Sequence, residues 1–188
     1  MGVVERNISV VMVRENLEGV PQFELPPGFG FSWFEPGDEE AWVRINDVAD
    51  RYNTITRELF FREYGDDAGV HHDRICFIEN SAGEKIATAS AWFNDSFRGG
   101  RWGRVHWVAV IPQMQGRGLS KPLMSAVCNR LRELGERRAY LVTSTARVPA
   151  ISLYLRFGFK PDISDSESVA VWKSFFRETG LGAMTESG

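Results

Sequence analysis

The spacing of apolar residues changes character several times along the chain. Ile8-Ser9-Val10-Val11-Met12-Val13 is β-rich, and Pro21, Pro26, Pro27 and Gly28 exclude a helix after it. Residues 1–29 are therefore expected to form an extended, β-rich arm. Phe31-Ser32-Trp33-Phe34 follows as strand material, and Pro36-Gly37 turns the chain. Asp38 is placed to cap a helix running from Glu39 to about Asp50, because Trp42, Ile45 and Val48 recur at helical spacing. A second short helix is expected from Thr56 to Tyr64. Arg74 to Ile78 and Lys85 to Phe93 read as strands joined by the polar turn Glu79–Glu84, and Arg104 to Ile111 as a further strand ended by Pro112.

From Leu119 the period becomes helical. Leu119, Leu123, Val127, Leu131 and Leu134 make one apolar stripe, and Gly135 is placed to stop it. Ala139 to Thr143 reads as a strand and Pro149 to Phe157 as a short helix ended by Gly158. Phe159 and then Val169-Ala170-Val171-Trp172 are expected to supply the last strand. The order predicts one α/β domain over residues 30–176, a mixed central sheet flanked by helices, with a tail over 177–188.

Length agrees with this, since 188 residues suit a single core. Cys76 and Cys128 lie in apolar stretches and offer no C-x-x-C pair, so buried thiols in a reducing compartment are expected. No signal peptide or span-length apolar run is visible, which makes a soluble cytoplasmic protein the expectation. Net charge is −3, yet Gly103 to Lys160 holds ten basic residues and two acids, a local +8. That asymmetry points to a local polyanion site or to solvated helix faces, rather than to general affinity for nucleic acid. Residues 37–67 carry the opposite bias, nine acids against four arginines. This suits either a surface that attracts a cationic amine or a solvated helix surface. His71-His72-Asp73 is read as a loop; with no further clustered ligand, no metal is expected.

Most chemistry is concentrated in Val108-Ala109-Val110-Ile111-Pro112-Gln113-Met114-Gln115-Gly116-Arg117-Gly118-Leu119-Ser120. An apolar strand leads through a glycine turn into an amphipathic helix. Such a turn either presents backbone N–H groups and a helix N-terminus to an anion, or uses glycine only for its conformation. It is neither a dinucleotide fingerprint, because Lys121 stands where the third glycine belongs, nor a Walker loop, because no Gly-Lys-Ser/Thr follows.

Gln115-Gly116-Arg117-Gly118-Leu119-Ser120, following Val110-x-Pro112, resembles the acyl-CoA-binding motif of the GCN5-related N-acetyltransferases. It departs from the family pattern at Ser120, where Gly or Ala is usual. Ala150-Ile151-Ser152-Leu153-Tyr154-Leu155-Arg156-Phe157-Gly158-Phe159 is similar to the helix and strand that follow in that family, with Arg147 where many members have Asn. The resemblance spans roughly Phe31 to Trp172 and is sharp from Val105 to Phe159.

The resemblance implies an N-acetyltransferase that moves acetyl from acetyl-CoA to an amine by direct attack in a ternary complex. The alternative is an acyl-CoA-binding or regulatory module without turnover. Peptide groups of Val108, Ala109 and Val110 would pair with the pantetheine arm. Those of Gln115, Gly116, Arg117, Gly118, Leu119 and Ser120 would hold the pyrophosphate, with Arg117 and Lys121 adding charge. Tyr154 corresponds to the family tyrosine that protonates the departing thiolate, a phenol near pKa 10 giving its proton to a thiol near 8–9. His106 is the candidate base, an imidazole near 6.5 placed by strand alternation on the face of Arg104, Val108 and Val110. The expected acceptor is an amine-bearing small molecule or peptide, with neither nucleic acid nor membrane as partner, and a homodimer paired through the arm is possible.

Overall fold

The computed structural model describes residues 1–184. Along the chain come β1 (Ser9–Arg14), β2 (Phe29–Trp33), α1 (Glu39–Ala49), α2 (Arg57–Tyr64), α3 (Ala68–Arg74), β3 (Ile75–Asn80), β4 (Lys85–Phe97) and β5 (Gly100–Val110). After a short 3-10 turn at Pro112–Met114 follow α4 (Ser120–Glu133), β6 (Ala139–Ser144), α5 (Val148–Arg156), β7 (Lys160–Pro161) and α6 (Ser166–Thr179). These elements gather into two compact units, Gln22–Glu136 and a second built from Met1–Pro21 with the chain from Arg137 onward.

In the first unit β2, β3, β4 and β5 form an antiparallel meander. Ile75, Cys76, Phe77 and Ile78 are all fully buried, so β3 is an apolar run covered on both faces. Helix α4 packs on β3, β4 and β5 through Leu123, Met124, Val127 and Leu131, which lie on one stripe and are fully buried. Pro122 is the third residue of α4, within the first turn, where a missing N–H leaves no helical bond unmade. Helices α1 and α2 bring Trp42, Ile45, Phe60 and Tyr64 into an aromatic cluster with Phe34, His71 and Trp92. The Thr56 hydroxyl caps α2 by accepting from the Leu59 N–H. The expected cap at Asp38 differs: its carboxylate accepts from the Glu35 N–H and leaves the α1 donors alone.

His71-His72-Asp73 is helical rather than a loop. Asp67 caps α3 by accepting from the Gly69 and Val70 N–H groups, and this turns His71 inward against the rings of Phe34 and Phe60. Cys76 and Cys128 are buried thiols outside any disulfide, and burial pushes Cys76 up to about 12.

The second unit centres on β1, which pairs antiparallel with β6 from Ser9↔Ser144 to Arg14↔Ala139 and with β7 at Met12↔Pro161. The β-rich stretch of the arm thus spends both edges within its own chain, and its Met12 is fully buried. The last strand is shorter than expected, and Val169-Ala170-Val171-Trp172 belongs to helix α6 instead. Asp165 and Ser168 form a capping box at its start, and Gly180, at φ +72°, ends it. Trp172 and Phe175 are its buried residues, three apart on one face. A β-branched run reads as strand locally, but the cap and this later spacing decide for helix.

Candidate active site

Strand β5 carries most of the candidate residues. Thr88 pairs with Ala109 and Ser90 with His106, so Ala89 alone faces both Trp107 and Val108. That is a β-bulge, and Trp107 accommodates it at φ +48°, unusual for a bulky side chain. One extra residue shifts the alternation beyond it. His106 therefore shares a face with Ala109, and the expected alignment of His106 with Val108 and Val110 is corrected.

The bulge aims His106 and Trp107 at helices α1 and α2. Trp107 meets Trp42 edge to face, with centroids 5.1 Å apart. His106 Nε2 lies 2.9 Å from a carboxylate oxygen of Glu63 on α2, and Trp107 Nε1 lies 3.5 Å from the same oxygen. The His106 hydrogen bond, above all, holds the Glu63 carboxyl below its ordinary value, with smaller help from Trp107 and the positive charge of Arg104. Burial pushes His106 down to about 4, against the pull of Glu63. The pair at neutral pH is an ionised carboxylate and a neutral imidazole whose Nε2–H donates to it. An imidazole near 6.5 acting as base was expected; the buried ring instead stays neutral and weakly basic.

A cleft of about 440 Å³ opens beside Glu63 and Trp107, and its other lining residues include Asn53, Thr56, Glu58 and Arg62. Its wall is mostly α2 and the chain leading into it. Glu63, a quarter exposed, was not singled out in the sequence; only the acidic bias of residues 37–67 hinted at it.

Three residues beyond Trp107, about 10 Å along the strand, β5 ends at Val110 and the glycine turn begins. The Gln115 amide donates to the Val110 carbonyl at 3.0 Å and ties the turn to the strand end. Gly116 and Gly118 adopt φ +76° and +80°, with no atom within 4 Å of where a Cβ would stand. Backbone conformation, not crowding, demands glycine there. Leu119 provides no side-chain cap for α4, and its first turn has no acid. Exposed glycines, uncapped donors and exposed Arg117 suit a diphosphate. Lys121 lies with its ammonium 5.5 Å from the Phe23 ring.

Tyr154 lies in the second unit, on α5, 7% exposed and packed near Phe159. Burial raises its phenol to about 12, slightly offset by Arg147. Full proton transfer to a thiolate whose conjugate acid lies near 8–9 runs uphill for any phenol near 10, and burial steepens it. This corrects the expected proton gift: the phenol suits hydrogen-bond donation to a thiolate instead.

A strand that bulges beside a cleft and ends in a glycine turn before an amphipathic helix is the arrangement expected from the two sequence motifs. The pattern of the acetyltransferase (GNAT) family matches residues 38–159, and the chain belongs to that family. It is 33% identical over 152 residues to the mycothiol acetyltransferase of Pseudarthrobacter chlorophenolicus, covering 74% of this chain and 45% of that protein. To the mycothiol acetyltransferase of Actinosynnema mirum it is 31% identical over 158 residues, covering 79% of this chain and 50% of the relative. A GCN5-related N-acetyltransferase from Sphaerobacter thermophilus superposes with a TM-score of 0.66 at 22% identity, over 82% of this chain and 48% of that one. The chain spans about half the length of these relatives. The α/β class and the family expected from the two motifs are borne out. Among the described residues no helix is long and apolar enough to cross a membrane.

Proposed function

We propose that this chain transfers acetyl from acetyl-CoA to an amine bound in the cleft beside Trp107, by direct attack on the thioester. The observation that carries this is that strand β5 gives Trp107 to a polar cleft and, three residues or about 10 Å further on, ends where the anion-ready glycine turn begins. Family membership supports the chemistry, and the named activity of the mycothiol acetyltransferases supports acetyl transfer. The acceptor of those longer proteins is not carried over.

In this reading the backbone N–H groups from Gln115 to Ser120 hold the pyrophosphate, with Arg117 and Lys121 adding charge. The peptide groups of Val108 and Ala109 orient the pantetheine arm; the Val110 carbonyl is already engaged by Gln115. The amine nitrogen forms a bond to the thioester carbon as the carbon–sulfur bond breaks. The amide forms, coenzyme A leaves as thiolate, and the proton lost by the amine ends on the thiol or in solvent. Tyr154 stabilises the departing thiolate by hydrogen-bond donation. His106 acts on the acceptor side only through Glu63, to which its Nε2–H donates. Catalysis then comes chiefly from holding the two reactants together. The acceptor is a small-molecule or peptide amine, and the protein works in the cytoplasm.

The test is a panel of amines incubated with acetyl-CoA, reading released thiol and the acetylated product. Coenzyme A binding without thiol release for any amine would favour the non-catalytic binding module. Absence of coenzyme A binding would overturn both.

A further inference from the structure

Neither member of the Glu63–His106 pair is basic enough to strip a proton from an ordinary ammonium. Glu63 is held below the usual carboxylate range and His106 well below the usual imidazole range. Two N–H donors, His106 Nε2 and Trp107 Nε1, converge instead on one oxygen of Glu63 and fix the carboxylate as an anion. The carboxylate remains a quarter exposed and faces the cleft, and the indole beside it is half-buried. An ionised carboxylate at the rim of a cleft receives a cationic nitrogen by ion pairing, and the half-buried indole beside it supplies an apolar wall for the carbons that carry the charge. The neighbouring charges do not cancel it. Among the residues that line the cleft, the two acids Glu58 and Glu63 outnumber the one base, Arg62.

We propose that Glu63 and Trp107 form a cation subsite of the acceptor cleft, and that the acceptor carries a second positively charged nitrogen besides the one acetylated. This rests on the reading of the cleft as the acceptor site. A nitrogen held as a cation has no lone pair for attack on a carbonyl, so the charge bound at Glu63 belongs to another group of the same molecule. The substrate class is accordingly a diamine, a polyamine or a basic peptide. Glu63 acts as a specificity-determining residue.

The test uses the full chain and needs no turnover. The Trp107 Nε1–H resonance is followed by two-dimensional NMR while choline is added, and again with its neutral isostere 3,3-dimethylbutan-1-ol. Choline should bind at least about tenfold more tightly than the alcohol, and Glu63→Gln should abolish that preference. Equal affinity for the two probes in the unaltered protein overturns the proposal, whatever the variant does. So does a preference that survives Glu63→Gln or that is lost in Glu58→Gln alone. In parallel, kcat/KM for a diamine should exceed that for a monoamine of equal length by about tenfold, with the gap closing in Glu63→Gln through KM. If no amine releases thiol, the transferase reading fails, and the choline titration still decides on the subsite by itself.

Discussion

Replacing Gly118 with aspartate separates the conformational role of the glycine turn from its role in binding. Gly118 sits at φ +80°, where an L-residue costs about 1–2 kcal/mol relative to glycine. Nothing lies within 4 Å of the new Cβ, so no steric cost adds to this. At about 2–4 °C per kcal/mol for a chain of this size, the melting temperature should fall by roughly 2–8 °C while the fold survives. Binding suffers separately. A carboxylate about 5 Å from a phosphate charge, at an effective dielectric near 20, repels it by about 3 kcal/mol. Coenzyme A affinity should therefore drop by about two orders of magnitude. Gly118→Ala carries the backbone cost without the charge, so it should match the aspartate variant in melting temperature but lose much less affinity. Calorimetric titration of coenzyme A into all three folded proteins is the measurement. Equal affinities for the aspartate and alanine variants, or affinities unchanged from the parent, would refute the placement of pyrophosphate at this turn.

Tyr154→Phe preserves the ring and removes a hydrogen bond to a charged sulfur, so kcat should fall about 10–100-fold with coenzyme A affinity unchanged; a loss below about threefold in steady-state rates makes the phenol a packing group. His106 titrates near 6.5 unfolded and near 4 folded, so between these values the unfolded state binds the extra proton. Stability should be fully present above about pH 6.5 and fall by about 3 kcal/mol as pH drops toward 4, with Glu63 adding to the loss below 4.5; urea midpoints across this range should flatten in His106→Gln. For the same reason the pH–rate profile should show no imidazole limb at 6–7.5 and should follow the ionisation of the acceptor amine. Trp172→Ala empties a site that is 2% exposed and should cost about 3–5 kcal/mol in denaturant unfolding; a loss under 1 kcal/mol would mean that α6 is not docked through this residue.

Elements whose signals are local were readable from the chain. The stripe from Leu119 to Leu131, the stop at Gly135, Thr56 before α2 and the positive-φ glycines at 116 and 118 each follow from neighbours within a few residues. Two sequence motifs in the right order were enough to identify the family, because a phosphate-binding turn is made of backbone and depends on which positions are small. What tertiary structure alone decided depends on partners far along the chain. The bulge at Trp107 exists because β4 offers one residue opposite two, a register that β5 cannot announce by itself. Val169–Trp172 became helix because burial of the Trp172 and Phe175 face lets the local cap at Asp165 and Ser168 prevail over the β-branched run. The charge of Glu63 is favoured by a 2.9 Å contact with His106, 43 positions along the chain, and the neutrality of His106 comes from burial that outweighs the pull of that same contact. Spacing can place an imidazole or a carboxylate in a sequence, but protonation state is set by what surrounds it once the chain has folded.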